Sequence, residues 1–194
     1  MPCCALASDV PPVWIEVGPT AMHYTPDKID TSAGMYHVTT APADHALAAV
    51  GGRIRLMVHI DDGWYAGVEG DLSYFDGPSL NGEFLARGST MTTTLATHGN
   101  IQQGKLVVGK RFVWDHRWMI ASELAPGLQI AQYTSTDIPN FVEPWTQSWY
   151  VLEAHALGGA WLTDRLSLTA EASADLTHPD RLQLALLVGG HFDR

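Results

Sequence analysis

The sequence predicts an all-β chain: one eight-stranded antiparallel up-and-down β-barrel, with short turns on one rim and long loops on the other. Three observations predict it. First, Arg165 to Leu176 alternates without a break. Leu166, Leu168, Ala170, Ala172, Ala174 and Leu176 fall on one face, and Arg165, Ser167, Thr169, Glu171, Ser173 and Asp175 on the other. A side-chain period of two marks a strand. Second, the alternation resumes after Thr177-His-Pro-Asp-Arg181, where Leu182, Leu184, Leu186, Val188 and Phe192 oppose Gln183 and His191. Third, turns of about three residues alternate along the chain with much longer connections.

The elements follow in order. Cys3 and Cys4 are the only cysteines, and Ala5-Leu-Ala7 before Ser8 has the form of the end of a secretory signal. Residues 1–12 therefore read as a leader remnant or disordered N-terminus, and 13–194 as a single barrel domain. Trp14 to Tyr24 is the first strand, with Ile15, Val17 and Ala21 opposing Glu16, Gly18, Thr20 and Met22. Thr25 to Val50, rich in Pro, Asp, Thr, Ser, Gly and Ala, reads as a long loop.

Gly52 to Ile60 is the second strand and Trp64 to Phe75 the third. Asp61-Asp-Gly63 between them predicts a three-residue hairpin turn with glycine in the left-handed position. If Ile60 faces Trp64 across it, Arg55 faces Glu69 and Arg53 faces Asp71. Opposite charges directly across a strand pair contribute up to about 1 kcal/mol each. Gly77 to Gly104 is a second long connection whose Thr-rich middle can extend the flanking strands.

Lys105 to Trp114 is the fourth strand and Trp118 to Tyr133 the fifth, joined by Asp115-His-Arg117, which pairs Trp114 with Trp118 and Phe112 with Ile120. Lys110 and Arg111 are adjacent, so one of them points to the apolar side unless a bulge intervenes. Pro126 removes one ladder donor and suggests a bulge in the fifth strand. Thr134 to Ser148 is a third long loop. Trp149 to Leu162 is the sixth strand, and Thr163-Asp-Arg165 turns into the seventh.

A barrel of this kind turns its apolar face either to a core or to lipid. Four features favour lipid. The connections alternate between short and long, as periplasmic turns and extracellular loops do. The aromatics fall in two belts: Trp14, Trp64, Trp114, Trp118, Trp161 and Phe192 near the short turns, and Tyr24, Tyr74, Phe75, Tyr133, Trp149 and Tyr150 near the long loops. Trp14, Trp64, Trp114, Trp118, Trp161, Tyr74, Tyr133 and Tyr150 are accordingly expected to form an interface girdle. Central apolar positions are often Ala or Gly, too small to fill a soluble core. The polar face carries Arg and Glu but few Lys, for Lys28, Lys105 and Lys110 are the only lysines.

Composition agrees. Charged residues make up 16 % of the 194, against roughly 25 % in soluble domains. A net charge of −10 excludes a nucleic-acid partner. No apolar run approaches the roughly 20 residues of a transmembrane helix.

In this pattern, from Trp14 to Phe192, the chain resembles the small eight-stranded outer-membrane barrels of the OmpA and OmpX kind. The resemblance implies a bacterial outer-membrane location, outer-membrane lipid as surroundings, and insertion by the barrel-assembly machinery. Such chains end on an aromatic residue, whereas here Phe192 stands third from the end.

The predicted lumen holds Glu16, Arg53, Arg55, His59, Glu69, Asp71, Arg111, Glu123, Glu153, His155, Glu171 and His191. In a barrel just wide enough for its own side chains, such charges pair, since an unpaired buried charge costs several kcal/mol. The expected role is a packed structural network, with a gated ion or small-solute path as one alternative. A soluble calycin-like barrel binding a small apolar ligand is another. No catalytic, cofactor-binding or metal residue is assigned. No histidine is followed two residues later by serine, no Asp-Ser pair occurs, and the histidines have neither His-x-His nor His-x-x-His spacing. Outer-membrane lipid-modifying signatures and compact metal motifs are thus lacking, as are a phosphate loop and a nucleophile elbow. Specific recognition is expected on the long loops, with an unknown ligand.

Overall fold

The computed structural model describes residues 13–24, 30–33, 36–40, 47–86, 89–115, 117–135 and 145–192. The leader expected over residues 1–12 lies outside them. Ten strands follow in order: β1 Val13–Tyr24, β2 Asp30–Ala33, β3 Tyr36–Thr40, β4 Leu47–Asp61, β5 Trp64–Ala86, β6 Ser89–Trp114, β7 Trp118–Ser135, β8 Trp145–Thr163, β9 Leu166–Asp175 and β10 Leu182–Phe192. Eight of them, β1 and β4 to β10, close an all-antiparallel barrel, since β1 pairs with both β4 and β10 and β5 pairs with β6. The predicted architecture is the one observed.

The remaining two strands correct the sequence reading. Thr25 to Val50 is not all loop: β2 and β3 form a small hairpin, β3 adds to the edge of β5, and β4 already begins at Leu47. The Thr-rich stretch does extend its neighbours. β5 and β6 pair from Trp64↔Lys110 up to Ala86↔Ser89, with a shift between Asp76 and Ser79.

The first hairpin has the expected cross-strand pairs, Arg55↔Glu69 and Arg53↔Asp71. Its turn differs. Asp61 pairs with Trp64, and the register shifts between His59 and Asp61. The turn proper is the two residues Asp62 and Gly63, at φ 45° and 77°, the left-handed pair that matches the twist of a hairpin. A side chain at Gly63 would also collide with the Arg111 carbonyl oxygen. The second hairpin pairs Trp114 with Trp118 and Phe112 with Ile120, as expected. The third closes at Thr163↔Leu166, and the Thr163 hydroxyl accepts from the amides of Arg165 and Leu166 at 3.2 and 3.1 Å.

Neither suspected bulge forms. Pro126 stays in step with Leu152 on β8, and only the β6 side of the ladder is interrupted there. Arg111 turns inward and Lys110 outward, where its ammonium lies 5.4 Å from the Trp64 ring and 5.7 Å from that of Phe112. A lysine on the apolar side reaches the rim with its charge while its stem stays on apolar surface.

The faces are sorted. Ile54, Leu56, Val68, Leu106, Leu124, Leu168, Leu184 and Leu186 point out and are exposed; Glu16, Arg53, Arg55, Glu69, Lys105 and Glu171 point in and are buried. The described residues contain no helix long and apolar enough to cross a membrane.

Candidate functional site

The barrel interior is stacked in three tiers, charged in the middle and aromatic at both ends. The middle tier follows from strand parity. Arg53 and Arg55 on β4, Glu69 and Asp71 on β5, Lys105 on β6, Glu123 on β7, Glu153 and His155 on β8, and Glu171 on β9 all share the inward face, and all are buried.

Two arginines tie this tier together. Arg53 donates from Nε to Asp71 Oδ1 at 2.8 Å, from Nη2 to Gln183 Oε1 at 2.6 Å, and from Nη1 to Glu171. Arg55 reaches Glu16 Oε2 at 3.1 Å, Glu69 Oε2 at 3.2 Å and Glu171 Oε2 at 3.3 Å, and it donates from Nη2 to Glu123. Lys105 Nζ sits 2.7 Å from both Glu69 Oε1 and Glu153 Oε2, and 3.1 Å from Asp71 Oδ2. His155 bridges the far side, Nδ1 3.0 Å from Glu123 Oε2 and Nε2 3.2 Å from Glu153 Oε2. Tyr65 donates its hydroxyl to Glu123. Gly109 makes room for that contact, since a Cβ there would stand 2.7 Å from Tyr65 Oη and Glu123 Cγ.

The network joins strands far apart in sequence. Arg55 on β4 contacts β1, β5, β7 and β9 across the lumen. Two triads, Glu69–Glu153–His155 and Glu123–His155–Glu171, bring carboxylate and imidazole atoms within 4.8 Å of one another. Every carboxylate in them also faces Arg53, Arg55 or Lys105. The chain's own cations thus fill the electrostatic role a divalent ion would play, and the donor set suits ion pairing rather than metal binding.

The short-turn tier is different. Arg111 is buried, but among the described residues no carboxylate lies within ion-pair reach of it. Its guanidinium stacks 4.1 Å from the Trp14 ring and 5.3 Å from that of Tyr65. Trp14 packs edge-on against Tyr65 at 5.4 Å and stacks on His191 at 6.0 Å. His191 lies 4.1 Å from the Trp161 ring, with Nε2 2.8 Å from Ser167 Oγ.

The loop-side tier mirrors it. Tyr24 and Trp149 stack at 6.1 Å, and Arg181 Cζ lies 4.8 and 4.7 Å from the two rings. Tyr24 and Tyr133 join their hydroxyls at 2.7 Å, and Phe75 packs on Tyr133 at 5.4 Å. Just beneath, Gln103 donates to Gln129 and Glu153.

Of the residues expected in the lumen, Glu16, Arg53, Arg55, Glu69, Asp71, Arg111, Glu123, Glu153, His155, Glu171 and His191 are buried there, and His59 is half-buried at the short-turn rim. The girdle expectation needs correction. Trp64, Trp114, Trp118, Tyr74 and Tyr150 do face outward and are exposed. Trp14 and Tyr133 are fully buried inside, and Trp161 lies on the lumen face against His191. Their parity explains it. Trp14 is two residues from Glu16, Tyr133 is ten from Glu123, and Trp161 is six from His155. Sequence reasoning missed Lys105, Gln103, Gln129 and Arg181, all buried. Lys105 shares its parity with Arg111, which was the available signal.

No family model matches the sequence, and no curated protein is similar to it. Solved structures are. The chain is similar to the outer-membrane protein OprG of Pseudomonas aeruginosa, with a TM-score of 0.57 and 10 % identity over 96 % of this chain and 98 % of that one. It is also similar to Ail, the attachment invasion locus protein of Yersinia pestis, with a TM-score of 0.51 and 12 % identity over 94 % and 98 %. At these identities the likeness is one of fold, and the fold is that of the small eight-stranded outer-membrane barrels.

Proposed function

We propose that this chain is a bacterial outer-membrane β-barrel that works as a closed scaffold, holding its long-loop rim at the cell surface for interaction rather than for catalysis or transport. The observation that carries the proposal is the inverted sorting of side chains. Large apolar residues such as Leu106, Leu184 and Ile54 are exposed at 63, 62 and 58 %, while arginines and glutamates are buried. Monomeric water-soluble proteins rarely expose so continuous an apolar belt, and a patch of this kind marks an interaction surface; lipid covers it at no cost. The outward Trp64, Trp114 and Trp118 at one level and Tyr74 and Tyr150 at the other suit the two headgroup zones.

The lumen supports a scaffold over a pore. Charged side chains bridge its width at mid-height, and an arginine set among aromatic rings lies at each end. The buried Ser167 hydroxyl does meet His191 Nε2 at 2.8 Å, but His191 Nδ1 has no orienting partner among the described residues and its ring is packed against Trp14 and Trp161, so the triad of a hydrolase is not assembled there. Recognition then falls to the loop rim.

The test is extraction and reconstitution. The chain should need detergent, run faster unboiled than boiled on a gel, and give no steady conductance in a planar bilayer. Solubility without detergent would sink the membrane placement. A stable open current would replace the scaffold with a narrow pore.

A further inference from the structure

The short-turn end of the lumen holds buried hydrogen-bond donors that its own acceptors do not meet. Arg111 Nε and Nη1, Trp14 Nε1 and His191 Nδ1 are buried and have no hydrogen-bond partner among the described residues. They belong to one cluster. The Arg111 guanidinium lies 4.1 Å from the Trp14 ring, Trp14 stacks on His191 at 6.0 Å, and the Arg111 charge acts on His191 as well. Trp14 and His191 are 0 and 2 % exposed, whereas Arg111 keeps 7 %. The cluster is shut off from bulk water, with Arg111 as its accessible side.

The carboxylates that attract Arg111 from deeper in the lumen, Glu16 and Glu123, are engaged elsewhere. Glu16 meets Arg55 at 3.1 Å and the Thr169 hydroxyl at 3.4 Å. Glu123 takes Arg55, the Tyr65 hydroxyl and His155. The faces of Trp14 and Tyr65 hold the guanidinium by its charge, but they leave its N–H groups without close acceptors. Buried donors without acceptors are costly, a charged one most of all.

We propose that this cluster binds one small monovalent anion, such as chloride, between the Arg111 guanidinium and the N–H edges of Trp14 and His191. The inference goes beyond the scaffold reading and holds whatever covers the outer face. The donor set selects the occupant. Four donors call for a ligand that accepts without donating. Water would bring two hydrogens of its own, and the cluster's hydroxyl, Ser167 Oγ, already faces His191 Nε2 at 2.8 Å. A cation would be repelled by Arg111.

Ring electrostatics agree. An aromatic ring is negative on its face and positive at its edge. The faces of Trp14 and Tyr65 carry the guanidinium, so the Trp14 edge, with its N–H, is left for negative charge. Valence follows from the neighbours. One negative charge balances Arg111, whereas a divalent oxyanion would set surplus charge against Glu16 and Glu123. The anion also fixes a tautomer. His191 donates from Nδ1 only if that nitrogen carries the proton, and Nε2 then accepts from the Ser167 hydroxyl.

The experiment uses the full chain refolded in a non-ionic detergent, with the unboiled gel shift recorded on every sample. Thermal melting is followed at fixed ionic strength while chloride or bromide replaces gluconate, an anion too large for the cluster. The midpoint should rise by several degrees along a saturating curve, as binding to the native state requires. Arg111→Met should keep the gel shift, lose the dependence and melt near the chloride-free parent. Trp14→Phe, which keeps a ring and removes the indole donor, should weaken the chloride response several-fold. Lys110→Ala, whose cation lies outside the barrel, should leave it intact. Crystals of the parent soaked in bromide should show an anomalous peak within hydrogen-bond reach of Arg111 and Trp14 Nε1. A folded parent whose midpoint ignores chloride would overturn the proposal, as would a non-saturating rise shared by parent and Arg111→Met. A bromide peak confined to Lys110 or the rims would mean an adventitious ion only and overturn it. Stabilisation by added phosphatidylglycerol with none by chloride would assign the guanidinium to a lipid phosphate and overturn it too. Absence of the gel shift in the parent would strike the closed barrel itself, and the site with it.

Discussion

Arg55 and Arg111 are both buried guanidiniums on the inner face of one barrel, and they are held in opposite ways. Arg55, at mid-height, touches Glu16, Glu69, Glu123 and Glu171. Arg111, at the short-turn end, lies on Trp14 and Tyr65 with no carboxylate beside it among the described residues. The first arrangement satisfies a charge with charges, and the second with π faces and a dispersive contact. The middle of a lumen is farthest from water, so a cation there is tolerable only when ion-paired on several sides. Near a rim, water and headgroups are close, and an aromatic face suffices.

Breaking the middle tier should therefore have the largest effect. Glu69→Ala removes the carboxylate shared by Arg53, Arg55 and Lys105. It should lower stability by about 3–5 kcal/mol, as losing one partner of a buried pair does. Urea unfolding in bilayers measures this, and an unchanged midpoint would mean the three cations have other sufficient partners. The outer face comes next. Ala170→Arg puts a cation on the exposed side of β9 at mid-height and should cost about 2–4 kcal/mol in the same assay. Full stability there would mean that lipid does not cover this face.

Arg111→Met sharpens the contrast. It forfeits a cation–π contact worth up to about 2 kcal/mol but also relieves a buried unpaired charge, so the net loss should stay below about 1 kcal/mol. A loss as large as that of Glu69→Ala would mean that Arg111 is ion-paired after all. Lys110→Ala, at the rim, breaks the 3.3 Å contact with the exposed Asp62 and the ring contacts with Trp64 and Phe112 and should change stability by about 0–1 kcal/mol.

Both arginines were legible as inward-facing from strand parity, and so was nearly all of the charged lumen. Lipid outside and a narrow polar interior impose a strict period of two, and Arg165 to Leu176 carries it without interruption. Which partner each charge takes was legible only between adjacent strands, as for Arg55 with Glu69. The reach of Arg55 to Glu123 and Glu171 depends on barrel closure, which no local pattern encodes. Trp14, Tyr133 and Trp161 were misplaced because aromatic chemistry was weighed above parity; a lumen end needs a bulky plug as much as an interface needs an anchor. The upper parts of β5 and β6 were hard to see for a physical reason. On the outer-membrane reading this part of the sheet stands beyond the lipid that enforces alternation, and the text becomes Ser, Thr and Gly.

The seam between β1 and β10 sets the timing of assembly. Val13 pairs with Phe192, so the ring shuts only when β10 is in place. Arg55 cannot meet Glu16 on β1 and Glu171 on β9 at once before that moment. Until then the inner face is an open sheet lined with charges, which hydrocarbon rejects. On the outer-membrane reading, entry into the bilayer and the joining of β1 to β10 are therefore a single event, and a chain lacking β10 is stranded at the membrane surface rather than half inserted.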